Sequence, residues 1–271
     1  MSLLDETKYL LRRYRIFPKK RLGQHFMINA SLFQFMAELA TLTREDISLD
    51  IGAGLGFLTR FLAEHCQKVL AVEVDSKLVK VLRERLKDLS NVEIIEGDIF
   101  KVHIPAFDKV VSIPSYHASS MLMQWLFNKN FNCAVLAFQK EFANRLVAPI
   151  GSKDYGWLSV LAYYSFEVEL FDDVPKWMFY PQPKVDSIIV RLKPRKPPPF
   201  HIKDKALFMH FVQRLCTQRN RKVRNAVKTF IKTYSAAAKI INSADTLPFH
   251  DRRVRELAPE DFGELANALA N

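Results

Sequence analysis

At 271 residues, about half of them hydrophobic, the chain is long enough to bury a core without disulfide or metal staples. Cys66, Cys133 and Cys216 stand far apart with no CxxC spacing, which argues against a disulfide framework or zinc ribbon, and they are read as reduced thiols. The formal net charge is +11, and the longest apolar runs, such as CAVLAF from Cys133, are too short for a bilayer, so a cytosolic protein without a membrane partner is expected.

The first 24 residues read as a basic, helical arm. Seven Lys or Arg residues fall between Lys8 and Arg21, and no acid interrupts the chain between Glu6 and Glu38. NASLFQFMAELATL then has apolar residues at helical spacing. ISLDIGAGLGFLTRFLAEH predicts a short strand, a glycine turn and a helix. KVLAVEVD predicts a strand and SKLVKVLRERLKDL a helix, and VEIIEGD and DKVVSIP are two further strands. Strands alternating with helices imply right-handed crossovers and a mostly parallel sheet, an α/β fold.

MLMQWLF and CAVLAFQKEFANRLV continue the alternation. SVLAYYSFEVELFDDV is rich in aromatic and β-branched residues, as a strand is, and VDSIIVRLKP predicts a final strand. Four prolines between Pro194 and Pro199 mark the domain boundary, because such a segment joins neither a helix nor a central strand. The α/β domain is therefore expected over residues 25–194 and a small helical domain over 200–271, where FMHFVQRLCTQRNRKVRNAVKTFIKTY and PEDFGELANALA read as helices. Nine Lys or Arg residues lie from Lys205 to Lys239, with no acid between Asp204 and Asp245. Two acid-free basic stretches suit a phosphate backbone, where each neutralised phosphate releases counterions.

The chemistry starts at DIGAGLG, which sets Gly52, Gly54 and Gly56 between a strand and a helix. There the backbone passes close to a ligand and the helix N-terminus offers unpaired amides. The spacing is GxGxG, with Phe57 where a dinucleotide fingerprint needs its last glycine, which counts against NAD. Glu73 ends the next strand, 17 residues beyond Gly56, where a carboxylate accepts from two ribose hydroxyls. Asp98 ends the following strand in EGD, placed to accept from an adenine amine or to serve as a turn residue. All three features sit at the carboxyl ends of successive strands and converge on the crevice of an open α/β sheet, so a nucleoside cofactor is expected.

PKKRLGQHFMIN (Pro18 to Asn29), DIGAGLGFLT, AVEVD, VEIIEGD, AVLAFQKEFANRLVAPIGSKDYGWLSV and FYPQPKVDS (Phe179 to Ser187) resemble, in order, the signatures of the ribosomal RNA adenine N6-dimethyltransferase family, most like its archaeal members. The resemblance runs over about residues 12–193 and persists weakly in QRNRKVRNAV. It implies a class I S-adenosylmethionine-dependent methyltransferase, Rossmann-like with a mostly parallel sheet and a small all-helical C-terminal domain. Family members dimethylate two adjacent adenosines of small-subunit ribosomal RNA during ribosome assembly, and a monomer without a metal is expected of this chain. Carried over by position, His25, Met27, Gly52 and Gly54 would enclose S-adenosylmethionine, with Glu73 on its ribose and Asp98 on its adenine. Phe179 would pack against the target base. Lys19, Lys20 and Arg21, with Arg219, Arg221, Lys222 and Arg224, would meet the RNA.

KVVSIPSYHASS departs from the resemblance. The family reads Asn-Leu-Pro-Tyr here, the amide and the proline carbonyl accepting from the target amine and the ring stacking on the flipped base. An ungapped alignment sets Ile113 at the amide, Pro114 and Ser115 next, and keeps Tyr116. A shifted alignment keeps Pro114 as the motif proline, with Ser112 and Ser115 for Asn and Tyr. Neither restores the amide, whose loss costs roughly 10²- to 10³-fold in rate. Ser112 or backbone carbonyls stand as substitute acceptors. Two expectations follow: an RNA adenine dimethyltransferase, or an RNA-binding assembly factor that keeps the fold but transfers little or no methyl.

Overall fold

The computed structural model describes residues 1–233 and 245–270, except for the side chains of Lys20 and Thr233. The chain forms two compact units. One comprises residues 1–143 and 168–194, the other residues 144–167 and 195–271.

The first unit opens with helix α1 (Leu3–Arg13), which follows an N-cap at Ser2 whose hydroxyl accepts from Asp5 N. Helix α1 buries Leu10 and Leu11 against Leu55, Leu78 and Val81, so the arm is part of this unit's core. Strand β1 (Phe26–Met27) pairs antiparallel with β8 (Phe179–Tyr180) as a separate two-stranded ribbon. Helix α2 (Ser31–Leu39) precedes the main sheet, whose strands are β2 (Ile47–Ile51), β3 (Lys68–Glu73), β4 (Val92–Glu96), β5 (Lys109–Ser112), β6 (Cys133–Gln139), β7 (Phe166–Val174) and β9 (Ser187–Pro194). Helices α3 (Phe57–Ala63), α4 (Ser76–Arg85) and α5 (Ser119–Leu126) connect strands, and α6 (Lys140–Leu146) follows β6.

The strand order is β4-β3-β2-β5-β6-β9-β7, with β4 through β6 mutually parallel and β9 antiparallel to β6. The chain enters at β2, steps outward to β4, then returns to place β5 on the other side of β2. That reversal makes the carboxyl ends of β2 and β5 the switch point where open sheets bind ligands. Val110, Val111 and all of Ala134 to Phe138 are fully buried, as strands covered on both faces require.

The second unit is built on helices α7 (Trp157–Ser165), α8 (Lys205–Cys216), α9 (Val223–Thr233) and α10 (Pro259–Leu269). Its membership corrects two expectations. SVLAYYS is the end of helix α7, and only from Phe166 does the chain become strand. The segment 144–167 also groups with the C-terminal helices instead of the α/β unit expected over 25–194. The reason is packing: Leu158, Val160, Leu161 and Ala162 are buried around α7, which lies against α8 and α10. A helix apolar on all sides mimics a strand by composition and is stable only inside such a bundle. The proline-rich segment still begins where β9 ends, at Pro194.

Candidate active site

The glycine turn leaves β2 at the switch point. Gly52 has φ +78°, a left-handed conformation open to glycine, and its amide donates to Val72 O at 2.8 Å. A Cβ there would meet nothing within 4 Å, so the backbone itself forms the cleft wall. Gly54 N donates to Glu73 Oε2 at 2.9 Å, and Asp75 N donates to Oε1 at 2.9 Å. The Glu73 carboxylate thereby ties the glycine turn to the end of β3. Burial pushes its pKa up, against the backbone hydrogen bonds from Asp75, Gly54 and Val74 that pull it down.

Three adjoining cavities, all touching Gly52, make one cleft in the first unit. The largest, about 250 Å³, has apolar walls from Ile51, Val72, Val74 and Ile99 with Asp98 among its lining residues. Asp98 Oδ1 accepts from Phe100 N at 3.1 Å, so the same side chain shapes its turn and borders the cavity. A central cavity of about 100 Å³ brings Glu73 and Gly54 together with His25, Ile113, Tyr116 and Phe179. The third, about 50 Å³, is lined by His25, Met27, Gly52, Gly54 and Asp50. His25 is held by Pro181, whose carbonyl oxygen lies 2.6 Å from its Nδ1.

At the other end of the central cavity Tyr116 is fixed by a 2.6 Å hydrogen bond between its hydroxyl and Ser187 Oγ. Burial pushes its phenol above the ordinary value. Its ring stacks near His25, with centroids 5.8 Å apart, and meets Phe179 at 6.4 Å and 68°. Ile113, Pro114 and Ser115 complete the wall, Ser115 Oγ donating to Leu22 O at 2.5 Å. Ser112 is not a site residue in this structure. It is fully buried, donates to Ile51 O at 2.7 Å and accepts from Ile51 N at 3.1 Å, so its hydroxyl extends the β2–β5 pairing and is unavailable to a ligand.

Sequence reasoning missed Asp50, although DIGAGLG begins with it. This side chain is 2% exposed, accepts from Thr59 Oγ1 at 2.7 Å, and has its pKa raised to about 7 by burial. The parts of the wall near Leu22 and Gly23 were also missed, because only the fold brings residues 22–24 beside the β5 loop.

The expected RNA-facing cations divide. Lys19 Nζ pairs with the nearly buried Asp75 at 2.7 Å and pins the arm to the start of α4, while burial raises and the Lys19 and Gln24 hydrogen bonds lower the Asp75 pKa, with a lowered value as the result. Arg21 is exposed at the cavity bordered by Asp98, and the side chain of Lys20 lies outside the described residues. In the second unit Arg219 donates to the carbonyls of Ser152 and Lys153, and Arg221 to Gln218 Oε1. Lys222 and Arg224 both pair with Asp251, at 2.8 and 2.9 Å. A stretch free of acids in sequence is thus supplied with one by the fold; Lys239 lies outside the described residues.

The described residues hold no cluster of metal-ligating side chains, and none of their helices is long and apolar enough to cross a membrane. A family profile described as "Ribosomal RNA adenine dimethylase" matches residues 17–269. The chain is 40% identical over 265 residues to a protein of Methanosarcina acetivorans named "Probable ribosomal RNA small subunit methyltransferase A", covering 97% of each. It is 34% identical to the "Ribosomal RNA small subunit methyltransferase A" of a Geobacillus strain, covering 97% of this chain and 95% of that one. Among solved structures, a dimethyladenosine transferase from Plasmodium falciparum superposes with a TM-score of 0.76 at 26% identity, over 89% of this chain and 96% of the other. The 23S rRNA methyltransferase ErmE gives 0.65, also at 26% identity, over 91% and 100%.

Proposed function

Because this chain belongs to the ribosomal RNA adenine dimethylase family, we propose that its cleft dimethylates the exocyclic amine of adenosines in small-subunit ribosomal RNA, using S-adenosylmethionine. The observation that carries the reading is convergence: Gly52, Glu73 and Asp98 on one side, and Tyr116 and Phe179 on the other, border one continuous cleft at the sheet's switch point.

The residues present fit the methyl donor. Gly52 leaves space that a Cβ would enter, and the Glu73 carboxylate, whose two oxygens offer about four acceptor sites, lines the cavity beside it. Asp98 beside apolar walls suits a flat heterocycle with an exocyclic amine. S-adenosylmethionine supplies an electrophilic methyl group on a sulfonium centre. His25 and Met27 close the cleft from the side of β1, and Gly54 keeps Glu73 in place.

On the acceptor side the chain's task is positioning, because an adenine amine is a poor nucleophile until its lone pair is localised. Tyr116 and Phe179 lie 68° apart, so one meets a flipped base face-on and the other edge-on. The Ser187 hydrogen bond fixes the Tyr116 ring whether or not a base is bound. Ile113 has no acceptor and the Ser112 hydroxyl is engaged, which leaves the main-chain carbonyls of the Ile113–Ser115 wall to receive the amine hydrogens.

The test is incubation with methyl-labelled S-adenosylmethionine and small ribosomal subunits from a strain lacking the modification, followed by nucleoside analysis. Labelled dimethyladenosine is expected. No label above background, with donor binding verified by calorimetry, would sink the enzyme reading and leave an RNA-binding assembly factor.

A further inference from the structure

A cavity of about 430 Å³ lies in the first unit between α1, the turn at Ile16–Pro18 and β8, and shares no lining residue with the cleft. Its walls carry three cations, Lys8, Arg12 and Arg15, and two rings, Phe17 and Tyr180. Phe17 is 82% exposed, and Lys8 Nζ stands 5.6 Å from the Tyr180 ring centroid. Neighbouring cations are occupied: Arg13 pairs with Glu84 and Lys19 with Asp75. Among the described residues Lys8, Arg12 and Arg15 form no ion pair.

Arg15 is also in an unusual place. Helix α1 ends with Ile16 N donating to Leu11 O at 2.8 Å and Arg15 N to Arg12 O at 3.1 Å, the paired bonds of a Schellman cap. The residue between must be left-handed, and Arg15 has φ +51°. Glycine is favoured at such a position, and an L side chain there is strained. Here the strained residue delivers a guanidinium to the groove.

We propose that this groove holds a single-stranded stretch of the substrate RNA beside the target adenosine, a base stacking on Phe17 and adjoining phosphates meeting Lys8, Arg12 and Arg15. The identity of the strand rests on the function proposed above. Unpaired cations around an exposed ring bind single strands because any base offers a stacking face while cations follow the backbone. A duplex offers no free base face along its length. Location supports the same strand. Phe179 and Tyr180 are consecutive on β8 and successive strand side chains point to opposite faces, so Phe179 lines the cleft and Tyr180 the groove. An RNA chain leaving the cleft has one two-residue strand to cross.

Fluorescence anisotropy on the full chain tests this, with a labelled single-stranded RNA of about 12 nucleotides and a blunt duplex of equal length. Phe17→Ala should weaken single-strand binding about tenfold and leave duplex binding unchanged. Arg15→Gly should weaken it about threefold and lower the log–log salt slope by about one, while the melting temperature stays level or rises as the cap relaxes. Wild-type affinity in both variants, a duplex bound as tightly as the single strand, or a lower melting temperature in Arg15→Gly accompanying its loss of affinity would each overturn the proposal. Methyl transfer to small subunits with unaltered binding in both variants would overturn the groove alone. Weakened binding without methyl transfer would keep the groove and overturn the function.

Discussion

The end of the cleft at Glu73 and Asp98 and the end at Tyr116 and Phe179 are built differently. At the first the main chain does the holding: Gly54 N and Asp75 N grip Glu73, and Phe100 N grips Asp98, each within the turn that follows a parallel strand. At the second the holding partners come from distant segments: Tyr116 is held by the Ser187 hydroxyl and Phe179 by the pairing of β8 with β1. A site held by backbone changes only with the fold. A site held by partners from distant segments can exchange one member while the others stay: Ile113, at the loop position where the ungapped alignment expects an amide, is apolar while Tyr116 keeps its anchor.

Three substitutions sharpen that contrast. The largest effect is expected from Glu73→Ala, which removes two charge-assisted hydrogen bonds to a ribose and lowers donor affinity by calorimetry roughly 10³-fold. The same change leaves the part-buried Gly54 amide and the buried Asp75 amide unpaired, so the melting temperature should fall as well. Wild-type affinity would show that Glu73 serves only the turn. Next is Ile113→Asn, expected to raise the methyl-transfer rate about 10²-fold by returning a side-chain acceptor, with donor affinity unchanged. A rate that stays level would mean the main-chain carbonyls suffice.

The smallest effect belongs to Asp50, and it is a matter of pH. Its folded pKa of about 7 lies above the ordinary 3.8, so the folded state holds the proton more tightly than the unfolded chain does. Its contribution to stability is therefore whole below pH 4 and is lost as pH rises through 7. Asp50→Asn should be more stable than wild type at pH 8 and no more stable at pH 4, by thermal melts. An equal gain at both values would show that Asp50 does not titrate in this window.

Much of this was legible in the sequence where the code is local. The alternation that became β2 to β5, the glycine turn and the acids at two strand ends are each set by a few adjacent residues. Legibility failed where a distant partner decides. SVLAYYS became helix because α8 and α10 cover it. Ser112 left the site because Ile51, 61 residues earlier, engages its hydroxyl. The basic helix that looked acid-free acquired Asp251 at Lys222 and Arg224.

By itself the sequence determined the α/β class, the glycine turn with its strand-end acids, and the family, because strand periodicity, glycine conformational freedom and a carboxylate at a strand end act over short spans. Only the tertiary structure decided which side chains remain available. Hydroxyls and cations far apart in sequence become committed or free according to what folding packs beside them. That is why the Ser112 hydroxyl is engaged by Ile51, Asp50 lines the cleft, and Lys8, Arg12 and Arg15, without an ion pair among the described residues, line one groove with the exposed ring of Phe17.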